Sequence, residues 1–402
     1  MKKTILISLL CLFTGHISAQ KYTTYLFAFF ANNTPDGEQI RFALSDDGFN
    51  YTSLNEGRPV VASDTIAIKK SIRDPHIMRA EDGKTFYMVL TDMRSNEGWQ
   101  SNDGLILMKS TDLIHWQHTA IDFPTRFPNI QELNADNLHA VWAPQTIWDP
   151  VAKKYMVYYS IGRHDWEYPT SDKRFFQPYF KLFYSYANED FTDLSAPKLL
   201  FDFGKASIDG DIVYDKKNKE YVLFFKDEGR SVINPLGPNG GWKTHQGIMR
   251  ATSKNVTGPY TTEWKYLHKP GQFPVEGSSV FPLINSDEYI LMYDCYANGH
   301  YQFCKGDLTS FTYVKDTPTK GTFTPRHGSV IHITDAERTR LESWSKLSIA
   351  VNNIKKAPTD GLSVQAIAQR NTLIEMAEKT LATKSDAKSF NSARKKLEKI
   401  MK

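Results

Sequence analysis

Short apolar runs centred on tyrosine recur along this chain. They are Thr85-Phe86-Tyr87-Met88-Val89-Leu90, Lys154-Tyr155-Met156-Val157-Tyr158-Tyr159, Glu220-Tyr221-Val222-Leu223-Phe224-Phe225 and Glu288-Tyr289-Ile290-Leu291-Met292-Tyr293. Runs of this length, rich in β-branched and aromatic residues, read as strands covered on both faces. Tyr87, Tyr155, Tyr221 and Tyr289 recur every ~67 residues, the mark of a repeated structural unit. A short segment containing Pro or Gly stands ahead of each run: Arg73-Asp74-Pro75, Trp142-Ala143-Pro144-Gln145, Ile208-Asp209-Gly210 and Val275-Glu276-Gly277. After each run comes another strand, at 104–113, 181–190, 247–253 and 301–308, and then a polar turn closed by Trp116, Phe191, Tyr260 or Phe311. One unit therefore offers an inner strand, an aromatic middle strand and an outer strand. Such a sheet cannot bury both faces alone and must stack on its neighbours.

The two ends of the repeat region complete each other. Residues 326–333 read as an inner strand with no middle strand after it. Residues 25–30 read as a middle strand with no inner strand before it, followed by a further strand within 39–49. Joining them makes a fifth unit and closes a ring, which removes the sheet edges an open array would expose. The expectation is an all-β, five-bladed β-propeller over residues 20–334, closed by N- and C-terminal strands. Polar insertions at 96–103, 123–139 and 164–177 stretch the period, and loops of that length in a compact domain usually carry function. From residue 335 the texture turns helical. Thr334 with Glu337 forms a capping-box pattern; Leu362, Ala366, Leu373, Ala377 and Leu381 keep helical spacing; and a last helix is expected over 385–401. Residues 335–402 thus read as a small helical appendage, in which Arg394-Lys395-Lys396 is a solvated face.

Composition adds compartment and excludes some partners. Of 402 residues, 41% are hydrophobic and 13% aromatic, enough for a packed core. A formal net charge of +4 is too small to suggest nucleic acid, and most of the excess lies beyond residue 335. The charged head Met1-Lys2-Lys3, the apolar run from Ile5 to Phe13 and the small pair Ser18-Ala19 read as a secretory signal over residues 1–19, cut before Gln20. No other stretch is long and apolar enough to span a bilayer, so the mature chain is expected to be secreted or periplasmic with no integral membrane segment. Cys295 and Cys304 flank an Asn298-Gly299 turn. A disulfide across that hairpin and two buried free thiols are both open readings.

In a propeller the first strand of each blade lines the central channel, so Asp74, Asp209 and Glu276 should converge there. The second copy, Trp142-Ala143-Pro144-Gln145, lacks the carboxylate. Taken singly, each acid would read as a turn cap. Clustered carboxylates raise the pKa of at least one member, and a site that holds an acid beside a base can hydrolyse a glycosidic bond. Aromatic loops suit the apolar faces of sugar rings.

With Arg73-Asp74-Pro75, Trp142-Ala143-Pro144, Ile208-Asp209-Gly210, Glu276-Gly277 and His327-Gly328-Ser329 in this order, the chain resembles glycoside hydrolase family 43. These are five-bladed propeller enzymes that release arabinose, xylose or galactose units. The resemblance implies Asp74 as general base, Glu276 as general acid and Asp209 as the residue that tunes and orients the acid, in an inverting reaction. It also implies Trp142, Arg73 and His327 on the substrate side. His327 resembles a central histidine that sits near calcium or water in many members, so a structural calcium in the channel stays open beside a core-histidine reading; no cofactor is required. Gln145 stands where many relatives have an acid, and Ser278 where Pro is common. The expected function is a secreted glycosidase acting on plant-type oligo- or polysaccharide, α-L-arabinofuranosidase first. β-Xylosidase, exo-galactanase and a non-catalytic carbohydrate-binding propeller are the alternatives.

Overall fold

The computed structural model describes residues 20–163 and 179–400. Five four-stranded antiparallel sheets stand around one axis. The first blade in chain order holds β1 (Thr24–Phe29), β2 (Arg41–Ser45) and β3 (Thr52–Ser53). The next is β4 (Ile72–Arg79), β5 (Phe86–Asp92), β6 (Gly104–Ser110) and β7 (Gln117–Asp122), with a one-turn helix α1 (Phe123–Arg126) after it. Then come β8 (Leu138–Asp149), β9 (Lys154–Arg163), β10 (Tyr179–Tyr186) and β11 (Lys198–Phe201). The fourth blade consists of β12 (Ser207–Asp215), β13 (Glu220–Asp227), β16 (Ile248–Ser253) and β17 (Thr261–Glu263), and a two-stranded ribbon, β14 (Arg230–Asn234) with β15 (Trp242–His245), is inserted in it. The fifth is β18 (Glu276–Pro282), β19 (Tyr289–Cys295), β20 (His300–Gly306) and β21 (Phe311–Pro318). The last strand, β22 (Gly328–Ile333), pairs antiparallel with β1 from Thr24↔Ile333 to Phe29↔Gly328 and supplies the inner strand of the first blade. Each inner strand touches the next, and β18 touches β22, so the ring is closed.

The middle strands explain why the chain folds this way. Successive side chains of a strand point to opposite faces, and here each face packs on a different neighbouring blade. Met88 and Leu90 of β5 join Leu26 and Ala28, whereas Tyr87 and Val89 join Val157 and Tyr159. Met156 and Tyr158 meet Leu223 and Phe225; Val222 and Phe224 meet Leu291 and Tyr293; Ile290 and Met292 meet Phe27 and Phe29. Five dry interfaces result, and both faces of every middle strand are apolar because both are buried.

Two features depart from the sequence expectation, and a third decides between two open readings. Each blade has a fourth strand, where a turn closed by an aromatic was expected. Trp116 and Tyr260 lead into β7 and β17, and Phe311 opens β21. These outer strands are short or solvent-facing, as in the largely exposed β21, and so lack the apolar run that marks the others. The 123–139 segment carries the short helix α1, capped by the Asp122 carboxylate accepting from Thr125 N–H at 3.0 Å, before β8 begins at Leu138. The two cysteines are free and buried: Cys295 stands opposite His300 and Cys304 opposite Leu291, so the hairpin register separates them. The signal segment and the 164–177 insertion lie outside the described residues.

Beyond the ring, helices α2 (Asp335–Lys356), α3 (Val364–Thr383) and α4 (Ala387–Glu398) pack together through Leu347, Ile354, Ile374, Ala377, Phe390 and Leu397. The capping box at Thr334 and Glu337 is present. Leu362 lies ahead of α3 and is exposed, so its helical spacing with Ala366 is incidental. Glu337 also accepts two hydrogen bonds from Arg79 of β4, at 2.9 Å each, and Leu341 enters the core cluster of the blades. No helix of the described residues is long and apolar enough to cross a membrane.

Candidate active site

Four of the five inner strands begin with the same irregularity. The pairing of β4 with β5 breaks between Arg73 and His76, that of β8 with β9 between Trp142 and Gln145, that of β12 with β13 between Ile208 and Asp211, and that of β18 with β19 between Glu276 and Ser279. Inside each bulge one residue takes a left-handed conformation: Asp74 (φ 49°), Ala143 (φ 47°), Asp209 (φ 54°) and Gly277 (φ 63°). A bulge re-aims side chains at a sheet end, and here it turns two successive positions toward the axis. Arg73 and Asp74, and Ile208 and Asp209, line one cavity as consecutive pairs, as do Arg326 and His327 just ahead of the unbulged β22.

This frame corrects the sequence reading in one respect. Asp74 and Asp209 are equivalent, but Glu276 is offset by one. It occupies the place of Arg73, Trp142 and Ile208, and Gly277 fills the left-handed position where the other blades have Asp or Ala. Pro or Gly after the acid hid the offset, because Gly277 is the bulge residue itself and not its successor.

The cavity, of about 500 Å³, opens at the bulged ends of the inner strands and contains Asp74, Asp209, Glu276, Arg73, Trp142 and His327 together. His327, 6% exposed, sits between two of the acids, its Nδ1 3.2 Å from Asp74 Oδ1 and 3.8 Å from Asp209 Oδ1. Burial favours a neutral ring, but the charges of Asp209 and Asp74 outweigh it and raise His327 to about 9. Asp74 is held below the usual aspartate value. Burial alone would raise it, but the His327 hydrogen bond, the charges of His327 and Arg73 and the Thr91 hydroxyl, which donates to Oδ2 at 2.8 Å, prevail. Thr91 in turn accepts from Ala143 N–H at 2.9 Å and so ties Asp74 to the neighbouring blade. Asp209 accepts from Gly277 N–H at 3.0 Å and is raised to about 6 by burial, against His327 and reinforced by Glu276.

Glu276 is the most exposed of the three acids, its side chain 24% accessible, and it is gripped by two cations. Lys226 Nζ donates to Oε2 at 3.0 Å and Arg326 Nη2 to Oε1 at 3.0 Å. Burial works against its charge, but Lys226 and Arg326 hold its pKa below the ordinary glutamate value. Arg73 is fixed by Asn33 at 2.7 Å and Glu38 at 2.9 Å, with its guanidinium over Phe30 and Trp99. Trp142 stacks on Phe180 at 4.4 Å and meets Trp99 edge-on, forming an aromatic wall. Gln145 lies deeper, buried, accepting from the Tyr158 hydroxyl at 3.0 Å.

Lys226, Glu228, Tyr296 and Trp99 also line the cavity, and sequence reasoning passed over them. Lys226 and Glu228 had one available signal, a charged cluster ending a fully buried strand. Trp99 lay in an insertion read only as polar. Among the described residues no group of three or more His, Cys, Asp or Glu side chains is arranged to hold a metal ion.

The fold and the carboxylate-lined cavity define the class of propeller glycosidases. The chain belongs to the glycosyl hydrolase 43-related family, whose model, described as a "Probable glycosyl hydrolase domain", matches residues 20–339. An α-L-arabinofuranosidase of Bifidobacterium longum subsp. longum is 26% identical over 320 residues, covering 72% of this chain and 29% of that protein. The chain thus spans less than a third of the length of this curated relative. Among solved structures, a family 43 β-1,3-galactosidase aligns with TM-score 0.51 at 11% identity, over 76% of this chain and 59% of the other. An exo-1,5-α-L-arabinanase from a bovine ruminal metagenomic library aligns with TM-score 0.48 at 14% identity, over 74% and 95%.

Proposed function

We propose that the protein is an exported, inverting exo-glycosidase in which Asp74 activates water, Glu276 protonates the leaving oxygen and Asp209 positions Glu276. The observation that carries the reading is the meeting of these three carboxylates around His327 in one aromatic-walled cavity. Asp74 suits a base: His327 and Thr91 keep it ionised and fix its orientation, and an ionised carboxylate is what must take a proton from water. The likeness to an arabinofuranosidase favours an α-L-arabinofuranosyl substrate over β-xylosyl or β-galactosyl ones.

Glu276 needs a proton that the free site withholds. Lys226 and Arg326 favour its charged form, and Asp209 is the member that retains a proton to about 6. Each cation has a second carboxylate to turn to, Glu228 for Lys226 and Asp294 for Arg326. In this reading the entering sugar loosens their grip, and Glu276 then takes up the shared proton.

A panel of chromogenic arabinofuranosides, xylosides and galactosides, run on wild type, Glu276→Gln, Asp209→Asn and Asp74→Asn, tests the assignment. Turnover is expected on one sugar. Asp74→Asn should lose roughly a hundred- to ten-thousandfold whatever the leaving group, whereas Glu276→Gln should recover on the most acidic phenol, which leaves without a proton. Recovery in Asp209→Asn alone would make Asp209 the donor. Binding without cleavage by wild type would favour a carbohydrate-binding propeller.

A further inference from the structure

Glu276 stands at the centre of a row of alternating charges. Glu228 pairs with Lys226 at 2.7 Å, Lys226 with Glu276 at 3.0 Å, Glu276 with Arg326 at 3.0 Å, and Arg326 Nε donates to Asp294. Three carboxylates share two cations, so the row holds one negative charge that its own cations do not cancel. Tyr296 lies against both, its ring centre 5.1 Å from Lys226 Nζ and 5.7 Å from the Arg326 guanidinium. Glu228, Lys226, Glu276, Tyr296 and Arg326 face the cavity. Asp294 is different. It stands opposite Glu276 in the β18–β19 register, is 1% exposed and is not among the residues lining the cavity, so it has no route to a bound sugar.

Building on Glu276 as the proton donor, we infer that Asp294 is a positioning residue for it: by competing for Arg326, the Asp294 carboxylate weakens that cation's hold and makes Glu276 easier to protonate when the sugar is bound. Two effects act in the same direction. A charged Asp294 draws the guanidinium toward itself, and it adds a like charge beside Glu276; both raise the proton affinity of the donor. A neutral side chain at this position leaves Arg326 wholly to Glu276, which then ionises at lower pH. The groups facing Asp294 are Arg326, Glu276 and His327, with Tyr301 and Cys295 also within its field. Those facing Glu276 are Lys226, Arg326, His327, Asp209, Asp294, Tyr296 and Tyr301. Burial raises Asp294 to about 7 against the pull of Arg326, so its charge, and with it the effect on Glu276, is present toward and above neutrality, where the basic limb of the sugar-bound enzyme is read.

The test is the pH profile of kcat on the glycoside that the panel identifies, with a poor leaving group so that proton donation limits the rate. Asp294→Asn and Asp294→Ser remove the charge, Asp294→Glu keeps it, and thermal melts check that each is folded. The basic limb is expected to move down by roughly one pH unit in the Asn and Ser variants, about tenfold in rate above the limb and little below it, while the Glu variant stays near wild type. An unmoved limb in a folded neutral variant, or a rate lowered equally at every pH, overturns the inference. Glu276→Gln run in parallel separates the two layers. If it leaves both the limb and the leaving-group dependence intact, Glu276 is not the donor. If it abolishes the limb while Asp294→Asn leaves it in place, only the role of Asp294 fails.

Discussion

At the scale of single residues, the ring is held by side chains that bridge one blade to the inner strand of the next. Ile77 N–H donates to Ser329 Oγ at 2.8 Å, Thr146 N–H to His76 Nδ1 at 3.1 Å, Ile212 N–H to the Tyr158 hydroxyl at 2.8 Å and Val280 N–H to Asp211 Oδ2 at 2.7 Å. Each hydrogen bond crosses from one blade to the next. Asp211 does this at a cost, because burial raises it to about 7 from the model-peptide 3.8, against the Val280 bond. Between those values the folded chain binds a proton that the unfolded chain has lost, so this residue makes stability fall as pH rises from about 4 to 7. Asparagine keeps an acceptor for Val280 without the charge. The melting temperature of Asp211→Asn is therefore expected to gain on wild type as pH rises from about 4 to 7; a difference that stays flat over this range would refute the buried-charge explanation. Little of this belt was legible in the sequence, since His76, Asp211 and Ser329 are ordinary polar residues until the neighbouring strand is known.

Among the elements, the strands were the most readable part and the bulges the least. A middle strand packed on both faces leaves a continuous apolar run, so all five could be found from residue type alone. The outer strands face water and left no such trace. Asp74 and Asp209 were correctly paired as equivalents, but Glu276 was placed one position out of frame, because a bulge residue is marked by its φ and only Gly277 announces that by its identity. A β-carbon at Gly277 would meet a left-handed φ of 63° and stand 2.9 Å from His327 Cγ. Gly277→Ala is thus expected to destabilise the protein by more than about 1 kcal/mol and to displace His327 from Asp74. Chemical denaturation measures the first effect, and a fall in the imidazole pKa followed by NMR measures the second. An alanine variant as stable as wild type would mean that the bulge tolerates a side chain.

For the molecule as a whole, ring closure converts sequence distance into proximity. Glu276 and Asp74 lie in different blades, yet both line one cavity because β22 from the end of the repeat region completes the blade begun by β1. The helical region is fastened to that ring by Arg79–Glu337, by Leu341 in the blade core and by Ser345 Oγ accepting from Asn55 N–H at 2.7 Å. In the proposed mechanism the closed ring brings a base and an acid to one cavity, where water attacking from the side opposite the leaving group inverts the anomeric centre. ¹H NMR of the first sugar released from the cleaved glycoside, recorded before mutarotation, reads that outcome. The anomer opposite to the substrate's is expected to form first; release of the same anomer would contradict direct attack by water activated at Asp74.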